Sequence, residues 1–291
     1  MIELLNLKKR YSDGTYALKG LNLKLEKRLT AVIGRNGAGK TTTIRILSTQ
    51  LEPSSGTARI NGYDILKDTD AIRSRITSIP QEASPIGFLT PLEHMRIYLL
   101  ARGMTFKGAD EEGMKALKAL ELWKVRNAPT DTLSGGMKRK LFVAMALAAN
   151  ADTVFLDEPT TGLDPLSRFE VWSAIKQLNG SVILTTHYME EAQQLAEEVV
   201  LVDQGQVLER GSVNSLLSSF KGKIRVEMPE GNRSIKMQYR IGTTRLSYVS
   251  KKKAEEFIAM GCTVRPITLD DLFIIHGVNL NDEAEGGEDE Y

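Results

Sequence analysis

A secreted, disulfide-held protein, a membrane-spanning one and a fibrous one each need sequence features that are scarce in this chain of 291 residues. Its single cysteine, Cys262, cannot close an internal disulfide and has no metal-ligating companions nearby, so it is expected to fill core. The longest nearly unbroken apolar run, Leu141 to Ala149, falls far short of the roughly 18 residues a membrane-crossing helix requires. Met1 to Leu7 alternates like a strand and lacks the charged-then-apolar layout of a signal peptide, so a cytosolic location is expected. Neither an internal repeat nor a coiled-coil heptad is present.

Strong charge is also missing. The formal net charge is +1, and residues 282–291 hold six acids and no base, leaving 38 basic and 31 acidic side chains elsewhere, a balance of +7. That balance suits nucleotides or an anionic membrane face and does not argue for nucleic acid. The acidic stretch 281–291 has almost nothing apolar to bury and is expected to be disordered.

What is present is an order of elements. Residues 2–7 and 21–25 alternate like antiparallel, half-buried strands, and the apolar run 29–33 feeds straight into a glycine loop followed by a helix over about 40–50. Residues 85–150 read mainly as helix. Thr90-Pro91-Leu92-Glu93 opens one with a capping box, and a second covers about 110–123. Strands at 153–157, 181–185 and 198–203 then alternate with helices at 166–178 and 188–197, which implies a parallel α/β core with a helical insertion. Beyond about 220 the pattern changes to strands at 223–228, 234–239 and 245–249, a helix at 251–260, a strand at 262–267 and a final helix capped by Thr268-Leu269-Asp270-Asp271.

Strand, glycine loop and helix in that order form a phosphate cradle: Gly34-Arg35-Asn36-Gly37-Ala38-Gly39-Lys40-Thr41-Thr42. Gly34, Gly37 and Gly39 permit the turns that aim backbone N–H groups at one anion, Lys40 can reach β and γ phosphates, and the Thr41 hydroxyl is placed for Mg²⁺. Asp157 and Glu158 end an apolar strand, where two buried acids call for a cation such as a metal–nucleotide complex. Kinases, GTPases and motor ATPases share such a loop, so it does not name the reaction.

With Tyr11, Gln81, Leu133-Ser134-Gly135-Gly136, Leu163-Asp164 and His187 added in order, the chain resembles the nucleotide-binding subunit of an ATP-binding cassette (ABC) transporter over about residues 1–220. The resemblance implies ATP and Mg²⁺ as ligands and a phosphate-loop NTPase core (1–220) with an antiparallel β subdomain and a helical insertion (about 85–150). A small α+β appendage (221–280) and the acidic tail lie outside it. By the same resemblance Tyr11 stacks on adenine, with Tyr16 a competing candidate. Asn36, Ala38 and Thr42 complete the phosphate loop, and Thr41, Gln81 and Asp157 serve the metal. Lys40, Glu158 as general base or water-orienting acid, and His187 as the switch histidine are catalytic. Ser134, Gly135 and Gly136 cap the ATP of an opposite cassette, and Asp164 lies on the loop that crosses the dimer. Met137 stands where the commonest form of the motif has glutamine. His94 and His276 are read as structural.

The resemblance further implies a second cassette, with a homodimer expected, and an integral membrane permease, with the chain peripheral on the inner face of the cell membrane. Tyr188-Met189-Glu190-Glu191-Ala192 and Thr268-Leu269-Asp270-Asp271-Leu272-Phe273 resemble the exporter branch that handles drugs, peptide antibiotics or lipid-linked glycans. Phe88, Leu89, Leu92 and Met95 are candidates for apolar contact with the permease, against the alternative that at least half of them are simply helix core. Two alternatives stand beside this. A soluble cassette clamp, for instance in cluster assembly, would lack a membrane partner, and a small-molecule kinase would leave Ser134-Gly135-Gly136 without a purpose.

Overall fold

A computed structural model describes residues 1–229, 239–241 and 243–276. They fall into two compact units, Met1–Arg210 and the described part of Gly211–Tyr291.

The N-terminal unit opens with β1 (Ile2–Arg10) and β2 (Tyr16–Leu25), an antiparallel pair, and continues through β3 (Leu29–Ile33), α1 (Lys40–Leu47), β4 (Ser55–Ile60), β5 (Tyr63–Asp64), α2 (Thr69–Arg73) and β6 (Ile76–Ile79). Three helices, α3 (Pro91–Ala101), α4 (Phe106–Ala119) and α5 (Gly135–Ala149), separate β6 from β7 (Thr153–Asp157). Then follow α6 (Pro165–Lys176), β8 (Ser181–Thr186), α7 (Met189–Leu195), β9 (Glu198–Asp203) and β10 (Gln206–Gly211).

The strands form an antiparallel sheet, β2-β1-β4-β5, and a six-stranded sheet ordered β10-β9-β3-β8-β7-β6, parallel from β9 to β6. β3 and β7 are buried along their whole length, as strands covered on both faces must be. One apolar cluster joins both sheets and α1 through Leu4, Leu18, Leu23, Ile44, Phe155 and Ile183. This is the phosphate-loop NTPase-like α/β architecture expected from the sequence.

Local chemistry sets the helix ends. At α3 the capping box is complete: Thr90 accepts from the Glu93 N–H at 3.3 Å and Glu93 from the Thr90 N–H at 2.8 Å. The expected helix at 110–123 begins earlier, because Thr105 caps it by accepting from the Gly108 N–H, and stops by Ala119, two residues before Glu121 takes a left-handed φ of 56°. α1 ends sooner than expected for the same reason, with Thr49 at φ 60°.

The C-terminal unit holds α8 (Val213–Leu216) and the antiparallel sheet β12-β13-β11-β14, built from β11 (Lys223–Pro229), β12 (Tyr239–Ile241), β13 (Thr244–Ser250) and β14 (Thr263–Arg265). α9 (Lys251–Ala259) packs on it, and Cys262 sits buried with Val226, Met228 and Ala254, as a core filler would. The expected strand at 234–239 lies, apart from Tyr239, outside the described residues, as does the acidic stretch 281–291.

Candidate functional site

Parallel strands deliver their following loops to one edge of a sheet, where ligands of open α/β folds sit. In strand order, β3 is followed by the glycine loop, β8 by His187, β7 by Glu158 and β6 by Gln81, so segments remote in sequence become neighbours. They border a cleft of about 580 Å³ lined by Tyr11, Asn36, Gly37, Gly39 and Lys40–Thr42 together with Gln81, Glu158, Thr161 and His187. Thr15, Tyr16 and Ala17, from the turn into β2, complete the wall on the Tyr11 side.

Lys40 is buried and donates to the carbonyls of Gly34 at 2.9 Å and Arg35 at 3.2 Å, while its ammonium lies 3.6 Å from Glu158 Oε1. Gly39 adopts φ 98° and passes so close to the Ala17 carbonyl that a Cβ would lie 2.5 Å from it. Gly34 and Ala38 face inward, against Val202 and the core respectively, so they shape the loop without lining the cleft. Tyr11 Oη and Thr42 Oγ1 are 3.2 Å apart, which ties the aromatic to the phosphate loop; Tyr16 also borders the cleft.

Glu158 is 6% exposed, and its Oε2 accepts from His187 Nδ1 at 3.0 Å, Thr161 Oγ1 at 3.0 Å and Gln81 Nε2 at 3.4 Å. Its backbone is left-handed, φ 50°, a conformation costing a non-glycine residue about 1–2 kcal/mol. Asp157 Oδ1 accepts from the hydroxyls of Thr41, at 3.2 Å, and Thr185. Among the described residues no three His, Cys, Asp or Glu side chains converge as a metal cluster. The hard oxygen donors Thr41 and Asp157 nonetheless fit a Mg²⁺ ion that takes its other ligands from phosphate and water.

Ser134, Gly135, Gly136 and Asp164 do not line this cleft. Ser134 caps α5 by accepting from the Met137 N–H at 3.2 Å, and Asp164 caps α6 by accepting from the Ser167 N–H at 3.1 Å; the Ser167 hydroxyl and then its N–H hold the Asp164 carboxyl below the usual range. His94 is structural: its Nδ1 lies 3.0 Å from the Thr90 carbonyl and its Nε2 accepts from the Ile86 N–H at 2.9 Å. The apolar candidates for a partner divide. Phe88 is 78% exposed, whereas Met95 is buried, because it lies on the face of α3 turned to α4; Ile86 and Ile97 are exposed in its place.

Sequence reading missed Thr161 and Thr185, which hold the two acids, and Arg139, whose guanidinium lies behind them. Hydroxyls flanking an acidic strand end carry no pattern of their own. Arg139 stands in a basic run, Lys138-Arg139-Lys140, that resembles a solvated helix face.

Residues 18–161 match the family model described as "ABC transporter". Over 227 residues the chain is 39% identical to the daunorubicin/doxorubicin resistance ATP-binding protein DrrA of Streptomyces peucetius, covering 77% of this chain and 68% of that one. It is also 39% identical over 210 residues to the retinal-specific phospholipid-transporting ATPase ABCA4 of Homo sapiens, covering 71% of this chain and 9% of that one. Among solved structures, the ATP-binding cassette MJ0796 in a dimeric post-hydrolysis state bound to ADP and Pi is similar with a TM-score of 0.67 at 28% identity, covering 73% of this chain and 98% of that one.

Proposed function

Since the chain belongs to the ABC transporter family, whose cassette is an ATPase, we propose that it is the ATP-hydrolysing subunit that drives export through a separate membrane-spanning partner. One observation carries the catalytic part: a buried carboxylate, Glu158, bonded by His187, Thr161 and Gln81 beside Lys40 at the open end of the phosphate loop.

In this reading the adenine stacks on Tyr11 and the triphosphate lies along the N–H groups of Gly37–Thr42, where the N-terminus of α1 favours negative charge. Lys40 turns from the Gly34 and Arg35 carbonyls to the β and γ phosphates. Thr41, Asp157 and Gln81 would hold Mg²⁺, which would neutralise phosphate charge when bound. Glu158 then accepts a hydrogen bond from, and orients, the water that attacks the γ phosphorus, releasing ADP and phosphate. His187, which holds Glu158 in the free site, donates to the transferring phosphoryl group in its place.

Ser134, Gly135, Gly136 and Asp164 stand away from the cleft, which suits service to the nucleotide of a second copy. Two copies closing face to face would complete two sites, and the dimeric form of a similar cassette supports that arrangement. Among the described residues no helix is long and apolar enough to cross a membrane; in this reading a separate permease supplies the path. The exposed Phe88, Ile86 and Ile97 offer it a docking edge, with the chain peripheral on the inner membrane face. The drug-resistance relatives favour the exporter branch.

The test is Glu158→Gln in the full chain. Phosphate release is expected to fall about a hundredfold or more with ATP still bound, and sedimentation in ATP-Mg²⁺ should give a stable dimer. Unchanged turnover would sink the assignment. Tagged Glu158→Gln protein should also recover a multi-span membrane protein from detergent-solubilised membranes; recovery of soluble proteins alone would favour the clamp.

A further inference from the structure

Arg139 lies in the second turn of α5, five residues after Ser134, and is 8% exposed. A guanidinium has five N–H donors in a rigid planar fork. Here all five meet main-chain oxygens of two loops. Nη1 donates to the carbonyls of Pro80 at 3.0 Å and Gln81 at 3.1 Å, and Nε to that of Pro159 at 3.2 Å. Nη2 donates to the carbonyls of Asp157 at 2.8 Å and Glu158 at 2.7 Å.

The two loops leave neighbouring strands. β6 and β7 are paired up to Ile79 and Leu156, and the chains beyond are the segments that carry Gln81 and the two acids. Past the last paired residues, the Gln81 side chain reaches Glu158 Oε2 only at 3.4 Å, while Arg139 grips both main chains at once. Burial of the cation is costly and lowers its pKa, although Asp157, Glu158 and Glu191 nearby act in the opposite sense. An apolar side chain would avoid that cost and could not hold the two loops together.

We infer that Arg139 is a positioning residue of the ATP site, fixing the Gln81 loop and the Asp157–Pro159 turn against each other from the helix that begins at Ser134. The inference rests on the roles given above to Gln81 and Glu158. It also makes α5 the shared rigid link between the acid that faces one nucleotide and the helix end offered to another.

The test uses the full chain with Arg139→Lys, which keeps the charge and loses the fork, and Arg139→Gln, which keeps a planar donor pair and loses the charge. For Arg139→Lys the expected result is a melting temperature within a few degrees of wild type and affinity for a fluorescent ATP analogue within about twofold. Its kcat should fall about tenfold to a hundredfold, as misplacement by about 1 Å can cause, and half-saturating Mg²⁺ should rise. Wild-type kcat in Arg139→Lys would overturn the inference, since charge alone would then suffice. A parallel loss of kcat, nucleotide affinity and melting temperature in both variants, or failure of both to fold, would mark Arg139 as structural and overturn it equally. Wild type and Glu158→Gln run alongside. An inactive wild type, or an active Glu158→Gln, would count against the site assignment itself.

Discussion

Both units hold an arginine near acids, buried at Arg139 and part-buried at Arg225, and they satisfy it in opposite ways. In the C-terminal unit Arg225 donates to Asp271 at 2.8 Å and pairs with Glu227 at 2.9 Å. The Tyr248 hydroxyl donates to the same Asp271 oxygen at 2.9 Å, and the Thr268 N–H takes the other at 2.7 Å. Charge meets charge there, both carboxylate oxygens are used, and burial together with Asp271 pushes the Tyr248 hydroxyl well up from its ordinary value. In the N-terminal unit Arg139 meets carbonyls only. The neighbouring acids are left to hydroxyls, an amide, an imidazole and an ammonium around an open cleft, all groups that can turn toward an arriving phosphate. A buried charge therefore does not mark a site by itself. What marks one is a carboxylate whose present partners can be exchanged for a ligand.

The sharpest way to break this comparison is Asp271→Ala. Removing Asp271 leaves the part-buried Arg225 with Glu227 alone and takes away the acceptor of the Tyr248 hydroxyl, which should destabilise the C-terminal unit by about 2–3 kcal/mol, read by calorimetry, with ATP turnover unchanged at temperatures below melting. Loss of turnover without loss of stability would make that network functional and undo the contrast. Of middle size is Tyr11→Ala, expected to weaken ATP binding by about 1 kcal/mol, roughly fivefold, while Tyr11→Phe stays near wild type. A larger effect from Tyr16→Ala would move the adenine to that ring.

The smallest effect sharpens the comparison within the N-terminal unit. Glu191 is buried, accepts from Thr160 Oγ1 at 2.8 Å and Trp172 Nε1 at 3.1 Å, and burial raises its pKa. As pH rises past the ordinary carboxylate value the unfolded chain gives up this proton while the folded one keeps it, so the group's contribution to stability falls with pH. Glu191→Gln should remove that dependence, giving a melting temperature equal to wild type in acid and a few degrees higher near neutrality. A difference that shrinks as pH rises would contradict the raised pKa.

The legible parts of the chain were those in which one stretch carried its own signal. The apolar run Leu29–Ile33 leading into the glycine loop, and the box Thr90–Glu93, declare element and boundary together. β6, only Ile76–Ile79, is too short to show a period, and β2 extends back to Tyr16 through bulges that disturb its alternation. The row of loops at the sheet edge was legible through motif order, because each segment had a recognisable form. Arg139 was not, since its five partners lie 18 to 59 residues away and are main-chain atoms, which any sequence supplies. Which of the apolar residues around α3 is core, as Met95 is, was not legible, because the face turned to α4 and the face turned outward are both apolar.

Glu158 stands where two demands meet. Its left-handed backbone suits glycine or asparagine better than an acid. Exchange to glycine would ease the main chain and at the same time strip His187, Thr161 and Lys40 of the carboxylate they hold. Comfort of the backbone and readiness of the site proposed above therefore pull this one position in opposite directions.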